Sequence, residues 1–292
     1  MSPRGRGIDF EQRFRTSRWA EDLVISALNR DHNLLTVRLG LSEIQRGALL
    51  ETNSTAYKIP DLLTYRVADL NSEETSMLER TDLVRTPLAE LEPEGRYRFA
   101  IEKALVAFEV EFSPYRAAEM KDRHWQPRTE EHWNRRPLRN ANPPTAPNIW
   151  VKEEDFGKLV AWEEHFNVPI VIIHLFDQES FAITLEDIKE FNRRYEAQPD
   201  EAIKLQVTTG IFKKEQVYDR VDAQGARERK IVFVSSPAAA MKVGDVHDVT
   251  VAAQVGLSSS KKYVAHTLFN GGRLVVSDEF LGHLNRLRTE RR

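Results

Sequence analysis

Apolar positions change their period several times along the chain, and each change marks an element. Trp19, Leu23, Val24 and Leu28 recur near helical spacing, with Ser17 available as a cap ahead of Ala20-Glu21-Asp22, so a helix is expected over 17–29. Tyr57 to Arg66 is rich in β-formers, but Pro60 forbids a regular central ladder, which predicts a strand with a bend. From Leu105 the pattern alternates. Val106, Phe108, Val110 and Phe112 point one way, while Leu105, Ala107, Glu109 and Glu111 point the other. Phe156, Leu159, Val160 and Phe166 form the stripe of an amphipathic helix over 153–166, and Val168 to Phe176 reads as a fully buried strand. Thr184 with Asp187 three residues on matches a capping box for a helix ending near Tyr195.

Between these elements lie two stretches of different character. Residues 67–94 are acidic and turn-rich, an insertion with a short helix expected near Glu73 to Arg80. Residues 113–147 hold six prolines and several arginines, and they read as a long irregular loop. After Pro199, short β-type runs are expected at 204–211, 230–235, 246–255, 263–268 and 273–276, with Gly271-Gly272 as a turn, before a basic helix from about Asp278. The order strand, loop, helix, strand, strand, helix, followed by a β-rich last third, points to an α/β protein.

The 292 residues suffice for a core without disulfides, and there is no Cys. That absence excludes a disulfide framework, a thiolate metal site, an iron–sulfur cluster and a cysteine nucleophile. The first seven residues are basic with no apolar stretch behind them, and no later apolar run approaches the roughly 18 residues of a membrane span, so a cytoplasmic protein is expected. Net charge is −3, so any grip on nucleic acid must come from local patches. Two are visible. Residues 1–20 carry five Arg against Asp9 and Glu11, and residues 114–140 carry seven Lys/Arg against four Asp/Glu.

Glu109-Val110-Glu111 places two carboxylates on one face of a strand, about 6.6 Å apart at roughly 3.3 Å per residue. Like charges that close disfavour each other unless a cation intervenes, and a hard dication such as Mg²⁺ is the natural neutraliser of oxygen ligands. A third carboxylate is then expected from a neighbouring strand, and Asp61, just after Pro60, is the best placed.

Pro60-Asp61 followed after 48 residues by Glu109-Val110-Glu111 resembles the PD-(D/E)xK nuclease signature in its rarer ExE form, with glutamate in place of the usual lysine. Ala104 to Lys121, Val151-Lys152-Glu153-Glu154-Asp155 and the apolar strand 168–176 resemble type II restriction endonucleases, over roughly residues 17–195. The resemblance implies a central mixed β-sheet flanked by helices. It implies a catalytic core over 1–198 and a β-rich region over 199–292 for DNA binding, dimerisation or both. By it, Asp61 and Glu109 hold a catalytic Mg²⁺, Glu111 helps to orient or deprotonate the attacking water, and Glu21 is an auxiliary acidic ligand. The implied reaction is site-specific hydrolysis of double-stranded DNA to 5′-phosphate and 3′-hydroxyl ends by a homodimer, within a restriction-modification system whose functional partner is a cognate DNA methyltransferase.

Arg116, Lys121, Arg123 and Arg128 follow the acidic strand closely enough to contact phosphates. The plainer readings stand beside these. Glu21 is also what the first turn of a helix prefers, and Asp61 is also an ordinary turn aspartate after proline. His124, Trp125, His132 and Trp133 lack zinc-ligand spacing and are expected to pack the loop, and His174 is expected to be a hydrogen-bonded core histidine. The alternative function is a non-catalytic DNA-binding protein whose acidic cluster is structural. Glycoside hydrolysis by paired carboxylates suits adjacent same-face positions poorly.

Overall fold

The computed structural model describes residues 8–30, 33–39, 57–80, 83, 86, 90–113, 116–120, 147–221, 227–237, 239–257 and 263–287. The strands are β1 (Leu34–Arg38), β2 (Leu62–Arg66), β3 (Val106–Phe112), β4 (Ile149–Lys152), β5 (Ile170–Leu175), β6 (Glu179–Thr184), β7 (Ile211–Val221), β8 (Arg227–Ser235), β9 (Met241–Leu257) and β10 (Tyr263–Val276). The helices are α1 (Ile8–Leu28), α2 (Ser72–Arg80), α3 (Arg98–Glu102), α4 (Glu153–Phe166), α5 (Leu185–Ala197), α6 (Ala202–Thr209) and α7 (Asp278–Leu287). A large curled sheet has the order β1-β2-β3-β5-β6-β9-β10, and a small one has the order β4-β8-β7. In the large sheet β3 and β5 run parallel, and the other described neighbours are antiparallel, so the sheet is mixed as expected.

Alternation along the strands divides the core into two layers. Leu62, Val106, Phe108, Val110, Val171 and Ile173 face α1 and α7, where Ala20, Val24, Leu28, Phe280 and Leu284 are buried. Leu63, Tyr65, Ala107, Ile170, Ile172 and Ile183 face α4, α5 and the small sheet, through Leu159, Trp162, Ile188, Phe191 and Phe233. The second layer is where Glu109 and Glu111 must point, because they share the face of Ala107.

Several boundaries differ from those the pattern suggests. α1 begins at Ile8, so Ser17 lies inside the helix and caps nothing; the apolar stripe marks only the part that packs. Pro60 ends the ladder outright, and β2 starts at Leu62. Residues 204–211, expected as a strand, form α6 up to Thr209. Thr208 and Thr209 donate their hydroxyls back to the carbonyls of Lys204 and Leu205, and Gly210, at φ +67°, closes the helix in the left-handed conformation. The runs expected at 263–268 and 273–276 are one strand, with Gly271 and Gly272 at φ +64° and +95° inside it. The acidic stretch 67–94 anchors itself in the core through Leu78, Leu83 and Leu91. The capping box of α5 is present, with Asp187 N–H donating to Thr184 Oγ1 at 3.0 Å.

Residue 198 does not separate two sheets. β9 and β10 continue the large sheet beyond β6, while β4 pairs with β8 in the small one. No helix among the described residues is long and apolar enough to cross a membrane. Where β9 meets β10, Gly244 lies so close to its partner that a Cβ there would sit 2.0 Å from the Val275 carbonyl oxygen. Gly244→Ala should therefore cost about 1–3 kcal/mol of stability, read as a lower urea midpoint; an unchanged midpoint would contradict this packing.

Candidate functional site

The site is built where β2 stops short. Ala107 and Ser113 donate their amides toward the β5 side, to the Pro169 and Leu175 carbonyls at 2.8 Å each, so the intervening even-numbered amides of β3 face β2. A continuing β2 would place residue 60 opposite Val110, but Pro60 has no N–H to return the second bond of that pair, and the ladder ends at Leu62. Asp61 takes over. Its Oδ2 accepts from Val110 N at 2.8 Å, between the two glutamates, and its own carbonyl accepts from Leu39 N at 2.8 Å. The structure thus brings Asp61, Glu109 and Glu111 together at the C-terminal half of β3.

Residues 57–60 lie along α4. Lys58 N donates to the Lys158 carbonyl at 3.3 Å, and Tyr57 packs its ring on His165 and Phe166, at centroid distances of 5.3 and 6.4 Å. This places the Lys58 ammonium among the acids. Nζ is 2.6 Å from Glu109 Oε1 and 3.4 Å from Asp155 Oδ2, in the first turn of α4. Lys152 approaches the same aspartate at 3.9 Å. Glu109 itself is buried at 4% exposure, and its second oxygen, Oε2, has no hydrogen-bond partner among the described residues.

These neighbours set the charge states. Burial and the nearby Glu109 push the Asp61 carboxyl well above the ordinary range, against the opposing Val110 amide and Lys58. Burial pushes Glu111 up to about 7, with Glu109 and Asp155 adding to it and Lys58 and Lys152 opposing. Burial by itself would depress Lys58, but Glu109, Glu111 and Asp155 hold its ammonium well above its usual value. If every group is ionised, four carboxylates (Asp61, Glu109, Glu111, Asp155) face two ammonium groups (Lys58, Lys152), an excess of two negative charges.

The donor set, an orphaned carboxylate oxygen and, once the acids are ionised, an excess of two negative charges fit a hard dication. As the side chains stand, no three acids or histidines among the described residues are spaced to close a metal site, and Lys58 sits between them. Asp61, Glu109 and Glu111 would hold the ion, with the Lys58 ammonium turning aside from Glu109.

The chain matches no family model, no curated protein and no solved structure.

The other expected site residues are placed less directly. Glu21, on α1, neighbours Asp61 closely enough to raise it, but its Oε2 is bonded to Arg38 Nε at 2.8 Å. Arg116 is exposed and paired with Glu119 at 2.7 Å. Lys121, Arg123 and Arg128, with His124, Trp125, His132 and Trp133, lie outside the described residues. His174 is the register partner of Glu111 on β5 and is buried against Phe176, but its Nδ1 finds no hydrogen-bond partner, which departs from expectation. Burial lowers its pKa to about 3, so the ring is neutral.

Sequence reasoning missed Lys58 and Asp155. The available signal for the first was a lone lysine between Tyr57 and Ile59, three residues before Asp61. An acid whose folded value is raised, as for Glu111 from 4.5 to about 7, stabilises the fold below its unfolded value and loses that contribution as pH rises toward the folded one. Glu111→Gln should therefore gain in melting temperature over the wild type, in EDTA, by more at pH 8 than at pH 5.5. A gain that shrinks as pH rises would contradict the placement of this carboxylate. Lys58→Met, which leaves buried carboxylates uncompensated, should lose about 3–5 kcal/mol at pH 8, measured by urea unfolding in EDTA.

Proposed function

We propose that the protein is an Mg²⁺-dependent, site-specific endonuclease of double-stranded DNA, similar to the type II restriction endonucleases of the PD-(D/E)xK kind. The observation that carries this reading is the Asp61 carboxylate accepting from the Val110 amide. It draws a third acid, from just ahead of β2, to the same-face pair Glu109 and Glu111, beside a Glu109 oxygen without a hydrogen-bond partner among the described residues. In this reading a bound dication supplies charge neutralisation for the developing phosphorane and a more acidic water. Asp61 and Glu109 hold it, Glu111 orients or deprotonates the attacking water, and Lys58 contributes a positive charge toward the scissile phosphate. The products are 5′-phosphate and 3′-hydroxyl ends. A two-fold homodimer matches cleavage of both strands at a palindrome, and the function belongs with a DNA methyltransferase that protects the same sequence.

A specific observation favours a second reading, a non-catalytic DNA-binding protein. The 2.6 Å Lys58–Glu109 pair already neutralises the most buried acid with a protein cation. The two readings part in one digest. Purified protein with Mg²⁺ should convert a mapped plasmid to discrete fragments, EDTA should stop it, and Glu111→Ala should lose about 10²–10⁴-fold in rate while still retarding DNA on a gel with Ca²⁺. Retardation with no cutting under any dication would support the second reading, and full activity in Glu111→Ala would defeat the first.

A further inference from the structure

Apart from the acid cluster, a row of basic side chains lies where α1 meets β10. A groove of about 560 Å³ runs between them, with Arg15, Arg18 and Arg30 on the helix side and Arg273 on the strand side. Trp19 braces it, stacked on Phe269 at 5.0 Å and donating Nε1–H to the Gly271 carbonyl at 2.7 Å. Arg18, Arg30 and Arg273 are exposed. The acid on the groove, Asp22, accepts from Arg38 Nη2 at 2.5 Å, so its charge is committed to a guanidinium outside the lining. The groove is therefore strongly cationic.

Its length selects the kind of anion. Positions 15, 18, 22 and 26 recur every three or four residues and form one stripe of α1. From Arg15 to Ser26 the stripe extends about 16 Å at roughly 1.5 Å per residue, and Arg30 lies just past the end of the helix. Guanidinium groups so dispersed cannot converge on one phosphate. One strand of a duplex advances about 3.4 Å along the axis per nucleotide, so a row of this length spans several phosphates. On the opposite wall Gly271 and Gly272 present bare main chain, which admits close approach. The groove also adjoins the acids, because Arg38 donates Nε to Glu21, a neighbour of Asp61, and Nη2 to Asp22 on the groove.

We propose that the groove between α1 and β10 grips the phosphodiester backbone of duplex DNA, with Arg18, Arg30 and Arg273 contacting separate phosphates beyond those at the acids. This rests on the endonuclease reading above and extends it to a surface that the basic segment after β3 does not include.

The test is binding of a short labelled duplex, followed by fluorescence anisotropy in EDTA over a range of salt, for wild type, Arg30→Ala/Arg273→Ala and Arg30→Lys/Arg273→Lys. The alanine variant should lose about tenfold or more in affinity at physiological salt, and its log–log salt dependence should become shallower by about two. The lysine variant should keep the slope. Unchanged affinity and slope in the alanine variant would overturn the proposal. So would displacement of the duplex from wild type by millimolar inorganic phosphate, which would mark a small-anion pocket. Wild-type cleavage with Mg²⁺ is scored separately. A chain that binds through the groove and never cuts overturns the endonuclease reading alone, whereas a chain that cuts while the alanine variant binds normally overturns the groove alone.

Discussion

An ammonium group holds together carboxylates that their own repulsion would scatter. Glu109 is almost fully buried on the central strand β3, and Lys58 Nζ sits 2.6 Å from one of its oxygens and 3.4 Å from Asp155. Without that cation, the strand would carry uncompensated charge into a layer otherwise made of Ala107, Ile172, Leu159 and Trp162. The local backbone serves this contact. Lys58 is pinned to α4 by its amide and by Tyr57, and Pro60 then forces the bend that delivers Asp61 to the Val110 amide.

The same geometry leaves the cluster unfinished. One lysine neutralises one oxygen of Glu109, while Oε2 finds no hydrogen-bond partner among the described residues and burial holds the Asp61 and Glu111 carboxyls toward their protonated forms. A purely structural ion-pair network would satisfy its oxygens from the protein. A group of acids kept short of cations is suited to receiving one, and the surrounding topology suits a long polyanion. The parallel pair β3–β5 places the acids at strand C-terminal ends, and α1 carries arginines from the neighbourhood of Glu21 along the groove toward Arg30.

Much of the scaffold is legible in the sequence because its signals are local. The alternation from Val106 through Glu111, the stripe of α4 and the Thr184–Asp187 cap each depend on neighbours a few residues away and are present, whereas Leu105, expected on the face of Ala107, precedes β3 and packs in the other layer with Val106 and Phe108. The pair Glu109 and Glu111 is legible for the same reason. Asp61 could be named, but its hydrogen bond to Val110 depends on where β2 stops relative to β3, which is tertiary. Lys58 and Asp155 were hidden more deeply, since a lysine beside a β-like run and an acid in a helix first turn both have ordinary explanations. α6 was misread as a strand because Val207, Thr208 and Thr209 favour strands, while the features that decided for a helix were the Gly210 terminus and hydroxyl groups bonding back one turn. The junction of the last third with the large sheet is not legible, because nothing in β9 announces that its partner is β6.

The central claim is that Asp61, Glu109 and Glu111 form a receptor for one hard dication, with Lys58 as its stand-in. Calorimetric titration of Mn²⁺ into the protein at pH 8, with short duplex DNA present, tests this most directly. The account predicts one site per chain in the wild type and its loss in Glu109→Gln. Equal binding by the two proteins, or none by the wild type, would contradict it.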